Sequence, residues 1–180
     1  CLKTHFNLKK RLNKIVTIIA PRHIVRTKEI ELLCNKFNLS SQILNENEII
    51  QNDREIIIIN SFGFLNNFFK YAKSVFIGKS TLKKLKKVGG QNPIDSAKLC
   101  WKTYHGPYIY NFKEIYDILK LNNISIKINN ADDLSMYLLK DLENDHIKNN
   151  VISNFIDDLC KKTFSGTMNE INKFILNEVK

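Results

Sequence analysis

Glu55-Ile56-Ile57-Ile58-Ile59-Asn60-Ser61-Phe62-Gly63 is the stretch that decides the fold. Four successive β-branched residues are too few for a buried helix and strongly prone to extended structure. A run with no polar alternation reads as a central strand covered on both faces, the kind found in parallel sheets. Ser61 and Gly63 then turn the chain into a helix running through Tyr71.

The same alternation extends in both directions. Upstream, Ile15–Ala20 is a short apolar run stopped by Pro21, which reads as a buried strand ending in a loop. Thr27 can cap a helix to about Asn38, since Ile30, Leu33, Cys34 and Phe37 fall at helical spacing. A strand at Ser41–Leu44 and a polar stretch, Asn45–Arg54, lead into the isoleucines. Downstream come a strand at Val75–Ile77, a basic loop at Lys79–Lys87, and a helix opening at Asn92-Pro93. A brief strand at Thr103-Tyr104, a helix over Asn111–Leu121 and a strand over Ile124–Ile128 follow. Asp132–Leu142, Ile147–Cys160 and Met168–Val179 read as three closing helices. Strands spaced by helices imply βαβ units and an α/β fold, a Rossmann-like doubly wound parallel sheet. With no linker-like stretch, residues 1–180 are expected to form one domain, which the helices of 145–180 complete.

A chain that is 43% hydrophobic and 26% charged is a globular one rather than a disordered tail. No apolar run reaches the length of a membrane span. Cys1, Cys34, Cys100 and Cys160 form no CxxC pair and the four histidines are scattered, which argues against a zinc knuckle or a disulfide scaffold. The net charge of +10 implies an anionic partner: nucleic acid, a nucleotide phosphate, or an acidic lipid surface.

In doubly wound sheets ligands bind beyond the carboxyl ends of the strands, so the residues just after strands are the informative ones. Arg22 can fork onto a phosphate or carboxylate, or be an ordinary surface arginine. Arg26 is either a second phosphate contact or a solvated helix charge. Gly63 lets backbone approach a ligand, or merely makes the turn. In Gly89-Gly90-Gln91-Asn92-Pro93-Ile94-Asp95, Asn92 suits an N-cap and Pro93 the first helical position. Asp95 then has two competing uses: closing a capping box with Asn92, or accepting the hydroxyls of a ribose. The loop His105–Phe112 holds Tyr108 and Tyr110, which can stack on a base or cover the core, and Asn111, a candidate N-cap. Lys79, Lys83, Lys84, Lys86 and Lys87 form a solvated run or an anion contact.

Taken together, these segments resemble the Kdo (3-deoxy-manno-octulosonic acid) transferases of lipopolysaccharide biosynthesis. Ala20-Pro21-Arg22-His23 with Arg26 looks like the family's PRHPER; Asn60–Leu65 falls at its GDTMGEL-like stretch; Phe76–Ser80 is similar to FVGGS; Gly89–Asp95 matches GGHNPLE. Gly106-Pro107 with Asn111-Phe112 matches GPHTFNF, and Gly166 to Ile175 resembles the last helix.

The resemblance implies the C-terminal domain of a GT-B glycosyltransferase, which holds CMP-Kdo while an N-terminal domain holds a lipid A precursor and the catalytic carboxylate. Carried onto this sequence, nucleotide binding falls to Pro21, Arg22, Phe62, Gly63, Phe64, Asn92, Pro93, Ile94 and Asp95. No catalytic residue, metal or cofactor beyond the donor substrate is assigned. The departures are Asn60 and Phe64 for the family's Asp and Glu, Lys79 for a glycine, Asp95 for a Glu, and Cys100-Trp101-Lys102 for GKP. Residues 1–14 read as an interdomain remnant around Thr4-His5. On this resemblance the chain does not transfer sugar by itself, and it acts in the cytoplasm or at the inner face of the inner membrane. The competing expectations are a folded remnant that no longer binds CMP, and a basic nucleic-acid-binding domain. No helix-turn-helix, zinc-finger or RNP-like stretch supports the last, and no nucleic acid is expected as partner.

Overall fold

A computed structural model of the chain describes all residues except Phe64, Cys100, Trp101, residues 144–149 and residues 179–180. The strands are β1 (Thr17–Ile19), β2 (Ser41–Leu44), β3 (Ile56–Ile59), β4 (Val75–Ile77), β5 (Thr103–His105) and β6 (Ser125–Lys127). The helices are α1 (Leu2–Lys9), α2 (Thr27–Lys36), α3 (Leu65–Phe69), α4 (Ile94–Leu99), α5 (Lys113–Leu121), α6 (Ala131–Glu143) and α7 (Asn150–Glu178).

Every strand pair is parallel, as the alternation requires, and the strands are distributed over two sheets of three, ordered β1-β3-β2 and β4-β5-β6. All four isoleucines of β3 are buried, and β3 is the centre of its sheet, with Ile18 and Gln42 flanking Ile57. Ile56 and Ile58 face α2 and α1, packing with Cys34, Leu39, Ile30 and Leu2. In the second sheet the residues of β5 alternate between two cores. Tyr104 packs with Leu134, Tyr137 and Leu138 of α6. On the opposite face Thr103 meets Ser96 of α4, and His105 stacks against Tyr116 of α5 at 4.3 Å between ring centres. Ala97, Leu119, Ile124 and Ile156 close a third cluster that joins α4, α5 and α7.

Three local expectations are corrected. Thr27 does not cap α2: it is the first helical residue, after a 3₁₀ turn over Ile24–Arg26. Asn111 does not cap α5, which begins at Lys113 after a 3₁₀ turn over Tyr110–Phe112; Asn111 instead ties two loops together. The last two helices are one, since α7 runs unbroken from Asn150 to Glu178 through Gly166. Residues 2–9, in which no helix is read from the sequence, form α1 and bury Thr4, His5 and Leu8. Among the described residues no helix is long and apolar enough to cross a membrane.

Candidate site at the carboxyl ends of the strands

Two groups of loops follow the strands, one per sheet. In the first, Ile19 pairs with Ile58, so the segment Ala20–His23 leaves the sheet beside Asn60–Gly63. Arg22 and His23 are exposed, and Arg22 has no side-chain partner among the described residues. Arg26 is committed elsewhere: its Nε and Nη2 donate to the Glu29 carboxylate at 3.0 and 3.3 Å, one turn along α2. This pair lowers the pKa of Glu29 and raises that of Arg26. Of the two arginines, Arg22 is the one without a side-chain partner among the described residues.

Asn60 donates from Nδ2 to Asn45 Oδ1 at 2.7 Å, which fixes the end of β3 to the loop after β2. Gly63 follows with φ of +85°, a left-handed conformation that favours glycine, and a Cβ there would meet nothing within 4 Å. Between them Phe62 is 71% exposed, a bare aromatic ring at the mouth of the sheet. Phe64, also assigned to the nucleotide, lies outside the described residues.

The second group is stitched tightly. Ser80 is buried; its hydroxyl donates to the Ile77 carbonyl at 2.6 Å and accepts the Gly106 N–H at 2.8 Å. The Ser80 carbonyl accepts from Tyr108 N–H at 2.8 Å, and the Lys79 carbonyl accepts from Gly90 N–H at 3.2 Å. The Gly89 carbonyl accepts from Asn111 N–H, and the Val88 carbonyl from Asn111 Nδ2, each at 3.3 Å. Glycines are forced at two of these crossings. A Cβ on Gly106 would lie 2.2 Å from the Ser80 carbonyl oxygen, and one on Gly89 would lie 2.5 Å from that of Tyr108. The loops after β4 and β5 and the approach to α4 therefore form one backbone-bonded platform. Sequence reasoning passed over Ser80 as a holding residue; the only signal was a serine directly after a strand end.

At the edge of that platform Asn92 accepts the Ile94 N–H on Oδ1 at 3.0 Å and caps α4. Pro93 is buried, and its carbonyl accepts from Ser96 Oγ at 2.8 Å. Tyr116 Oη donates to the Gln91 carbonyl at 3.0 Å, holding the turn from beneath. Asp95 takes no part: its carboxylate is exposed and has no side-chain hydrogen bond among the described residues. Of the two uses open to Asp95, the capping box with Asn92 is not formed among the described residues.

Burial lowers the pKa of His105, whose Nδ1 is 2.8 Å from the Gly106 carbonyl, so the ring stays neutral and braces the platform. Tyr110 is 68% exposed and Tyr108 half-buried, so the two tyrosines divide between surface and core. Lys83, Lys84, Lys86 and Lys87 are exposed beside Lys79, with no acidic partner among the described residues. The loops after β1 and β4 thus carry a surplus of uncommitted positive charge, with Asp95 as a lone carboxylate. Such a rim favours an anion that also offers hydroxyls.

No group of three or more His, Cys, Asp or Glu placed to hold a metal occurs among the described residues. An open apolar groove of about 340 Å³ between Phe6, Phe37 and Leu39 lies at the amino ends of the strands, away from these loops.

No protein-family model matches the chain. In sequence it is similar to a 3-deoxy-D-manno-octulosonic acid transferase of Rickettsia conorii, 30% identical over 175 residues that make up 94% of this chain and 36% of that protein. A transferase of the same description from Rickettsia typhi is 32% identical over 138 residues, 77% of this chain and 29% of that protein. A bifunctional glycosyltransferase/methyltransferase of Fusobacterium nucleatum is 23% identical over 173 residues, 95% of this chain and 26% of that protein. Among solved structures, the C-terminal CMP-Kdo binding domain of WaaA from Acinetobacter baumannii is similar at a TM-score of 0.66 and 24% identity, over 77% of this chain and 74% of that one. That last likeness is one of fold. The chain spans about a third of the length of the Rickettsia transferases it matches.

Proposed function

This chain is a relative of the 3-deoxy-D-manno-octulosonic acid transferases, and from that kinship we propose that it is the donor-binding half of an inverting GT-B glycosyltransferase. The donor is CMP-Kdo and the acceptor a lipid A precursor. The observation that carries the reading is the pair of exposed charges without a side-chain hydrogen bond among the described residues, Arg22 in the loop after β1 and Asp95 in the first turn of α4.

A CMP-activated acidic sugar presents a phosphate, a ribose and a carboxylate. Arg22 forks onto the phosphate, and the lysines after β4 add to the positive field. Asp95 accepts the ribose hydroxyls, one methylene further back than a glutamate would. The turn at Phe62 and Gly63 offers open backbone to the nucleotide. Positive charge held at the phosphate stabilises the departing CMP as the glycosidic bond breaks, which is where negative charge grows in the transition state. Deprotonating the acceptor hydroxyl requires a base, and this role falls to residues of an acceptor domain outside these 180. The chain alone therefore holds donor and transfers nothing, and the reading calls for no cofactor beyond CMP-Kdo. Its setting is the cytoplasmic face of the inner membrane, reached through the acceptor half.

Calorimetric titration with CMP tests the proposal, with UMP and the Arg22→Ala variant alongside. Saturable CMP binding that weakens at least tenfold in the variant supports it. No heat at millimolar CMP overturns it and leaves a folded remnant.

A further inference from the structure

Between Glu55 and Asp95 the sequence holds seven lysines and no carboxylate, against a net charge of +10 for all 180 residues. Five of the seven fall within Lys79–Lys87, in the loop after β4. A charge run is ordinarily a solvated face, and lysines alone select nothing narrower than an anion. What sets this run apart is the rigidity of its loop and the apolar side chains at the two ends of it.

The loop is tightly wound. Leu85 N–H bonds the Leu82 carbonyl at 2.9 Å, Lys86 N–H that of Lys83 at 3.1 Å, and Val88 N–H that of Leu85 at 3.1 Å. It then folds back so closely that a Cβ on Gly89 would lie 2.7 Å from the Leu85 carbonyl oxygen. Both ends are pinned to the platform. Ser80 is bonded to Ile77 and Gly106 at one end, and the carbonyls of Val88 and Gly89 accept from Asn111 at the other. Side chains on such a loop need little further ordering when they meet a partner.

Leu82 and Val88 stand at the two ends of the turns, 51% and 50% exposed, and four exposed lysines lie between them. Tyr110, 68% exposed, directly precedes Asn111, whose bonds to Val88 and Gly89 bring it to the same end of the loop. Nucleic acid would answer the charge and leave Leu82 and Val88 in water. A bilayer answers both: anionic headgroups hold the ammonium groups, and aliphatic and tyrosine side chains bury in the boundary between headgroups and acyl chains.

We propose that the loop over Leu82–Val88 docks the chain on an anionic lipid surface, with its lysines on the headgroups and Leu82, Val88 and Tyr110 in the boundary beneath them. Docked in this way, the carboxyl ends of β4 and β5 face the bilayer. The contact is made by these 180 residues themselves and rests neither on CMP binding nor on an acceptor domain.

Flotation of the full chain with phosphatidylcholine vesicles, with and without phosphatidylglycerol, tests the proposal. Binding is expected only where phosphatidylglycerol is present, and it should fall steeply as salt rises. Changing Lys83, Lys84, Lys86 and Lys87 together to Gln should weaken it by about 100-fold or more. Leu82→Ser with Val88→Ser keeps every charge and should weaken it by about tenfold, with the urea midpoint held. The serine variant separates a bilayer from a polyanion. Vesicle binding equal to that of the parent, with poly-U RNA bound as tightly by both, means that the loop answers charge alone and overturns the proposal. Vesicle binding that survives the four glutamines overturns it too, because another surface then carries the contact, such as the exposed Phe164 and Phe174 of α7. No binding to phosphatidylglycerol vesicles at low salt overturns it outright.

Discussion

Ser80 Oγ accepts the Gly106 N–H at 2.8 Å, while the Ser80 carbonyl sits where a Cβ on residue 106 would have to go, 2.2 Å away. One serine thus holds the loops after β4 and β5 together and fixes what can stand opposite it. Ser80→Ala leaves a buried N–H without its acceptor and is expected to cost about 2 kcal/mol. Gly106→Ala forces the two loops apart and is expected to cost about 3 kcal/mol. Urea denaturation measures both. If Gly106→Ala were neutral, the platform would not be the rigid body described.

Lys79 occupies φ of +59°, in the left-handed region where a side chain is strained. It stands where the resemblance places the second glycine of FVGGS, so the backbone has kept a glycine conformation under a lysine. Lys79→Gly removes that strain but adds disorder to the unfolded chain, for a net gain of roughly 0.5–1 kcal/mol. The same substitution removes a cation from the rim, so CMP affinity is expected to fall by about threefold while stability rises. The two changes moving in opposite directions separate the backbone role from the charge role.

What was legible in the sequence was whatever local chemistry decides. The isoleucines of β3 could be only a strand buried on both faces, and Asn92-Pro93 could hardly avoid starting a helix. What was not legible depended on distant partners. α1 carries Lys9, with Lys10 just beyond it, beside an exposed Phe6, so no clean apolar stripe announces it; it is held by α6, more than 120 residues away. Two closing helices were read on either side of Gly166, yet a Cβ there would meet nothing within 4 Å, and one helix passes through. Strand alternation fixed parallel pairing but said nothing of which strands pair, so the division into two sheets was invisible. At the site, the residue types at Arg22 and Asp95 could be read. Their freedom could not, because it follows from Glu29 taking Arg26 and from Asn92 capping α4 alone.

Burial governs the response to pH. Tyr104 is buried and its hydroxyl donates to Asp141, which also receives Lys102 Nζ at 3.3 Å. Burial first, and then that carboxylate, raise its pKa well above the ordinary 10.0. The folded state holds this proton more tightly than the unfolded chain, so the stability it confers is full below about pH 10 and declines above it. His5 and His105 act at the other end. Burial lowers both below the usual 6.5, so the unfolded chain binds protons first and stability falls as pH drops through about 6.5. Urea midpoints across pH are expected to show a plateau between these limits. Tyr104→Phe should lose the alkaline limb's steepness and cost about 2 kcal/mol at neutral pH, because Asp141 loses its donor.

Asp95 had two competing uses, closing a capping box with Asn92 or accepting the hydroxyls of a ribose, and in the structure Asn92 caps α4 without it. Asn92 Oδ1 holds the Ile94 N–H, so Asn92→Ala should lower stability by about 1 kcal/mol. Asp95 makes no side-chain hydrogen bond among the described residues and only a charge interaction with Lys98 from the first turn of α4, so Asp95→Asn should shift the urea midpoint only slightly. If the carboxylate accepts the ribose hydroxyls, the same Asp95→Asn change should weaken CMP binding by about tenfold, because a charged acceptor is replaced by a neutral one. It should weaken a 2′,3′-dideoxy analogue of CMP hardly at all. The analogue decides between two explanations of any loss. Equal loss for CMP and the analogue would place Asp95 near the nucleotide without touching the sugar, whereas loss confined to CMP assigns it the ribose.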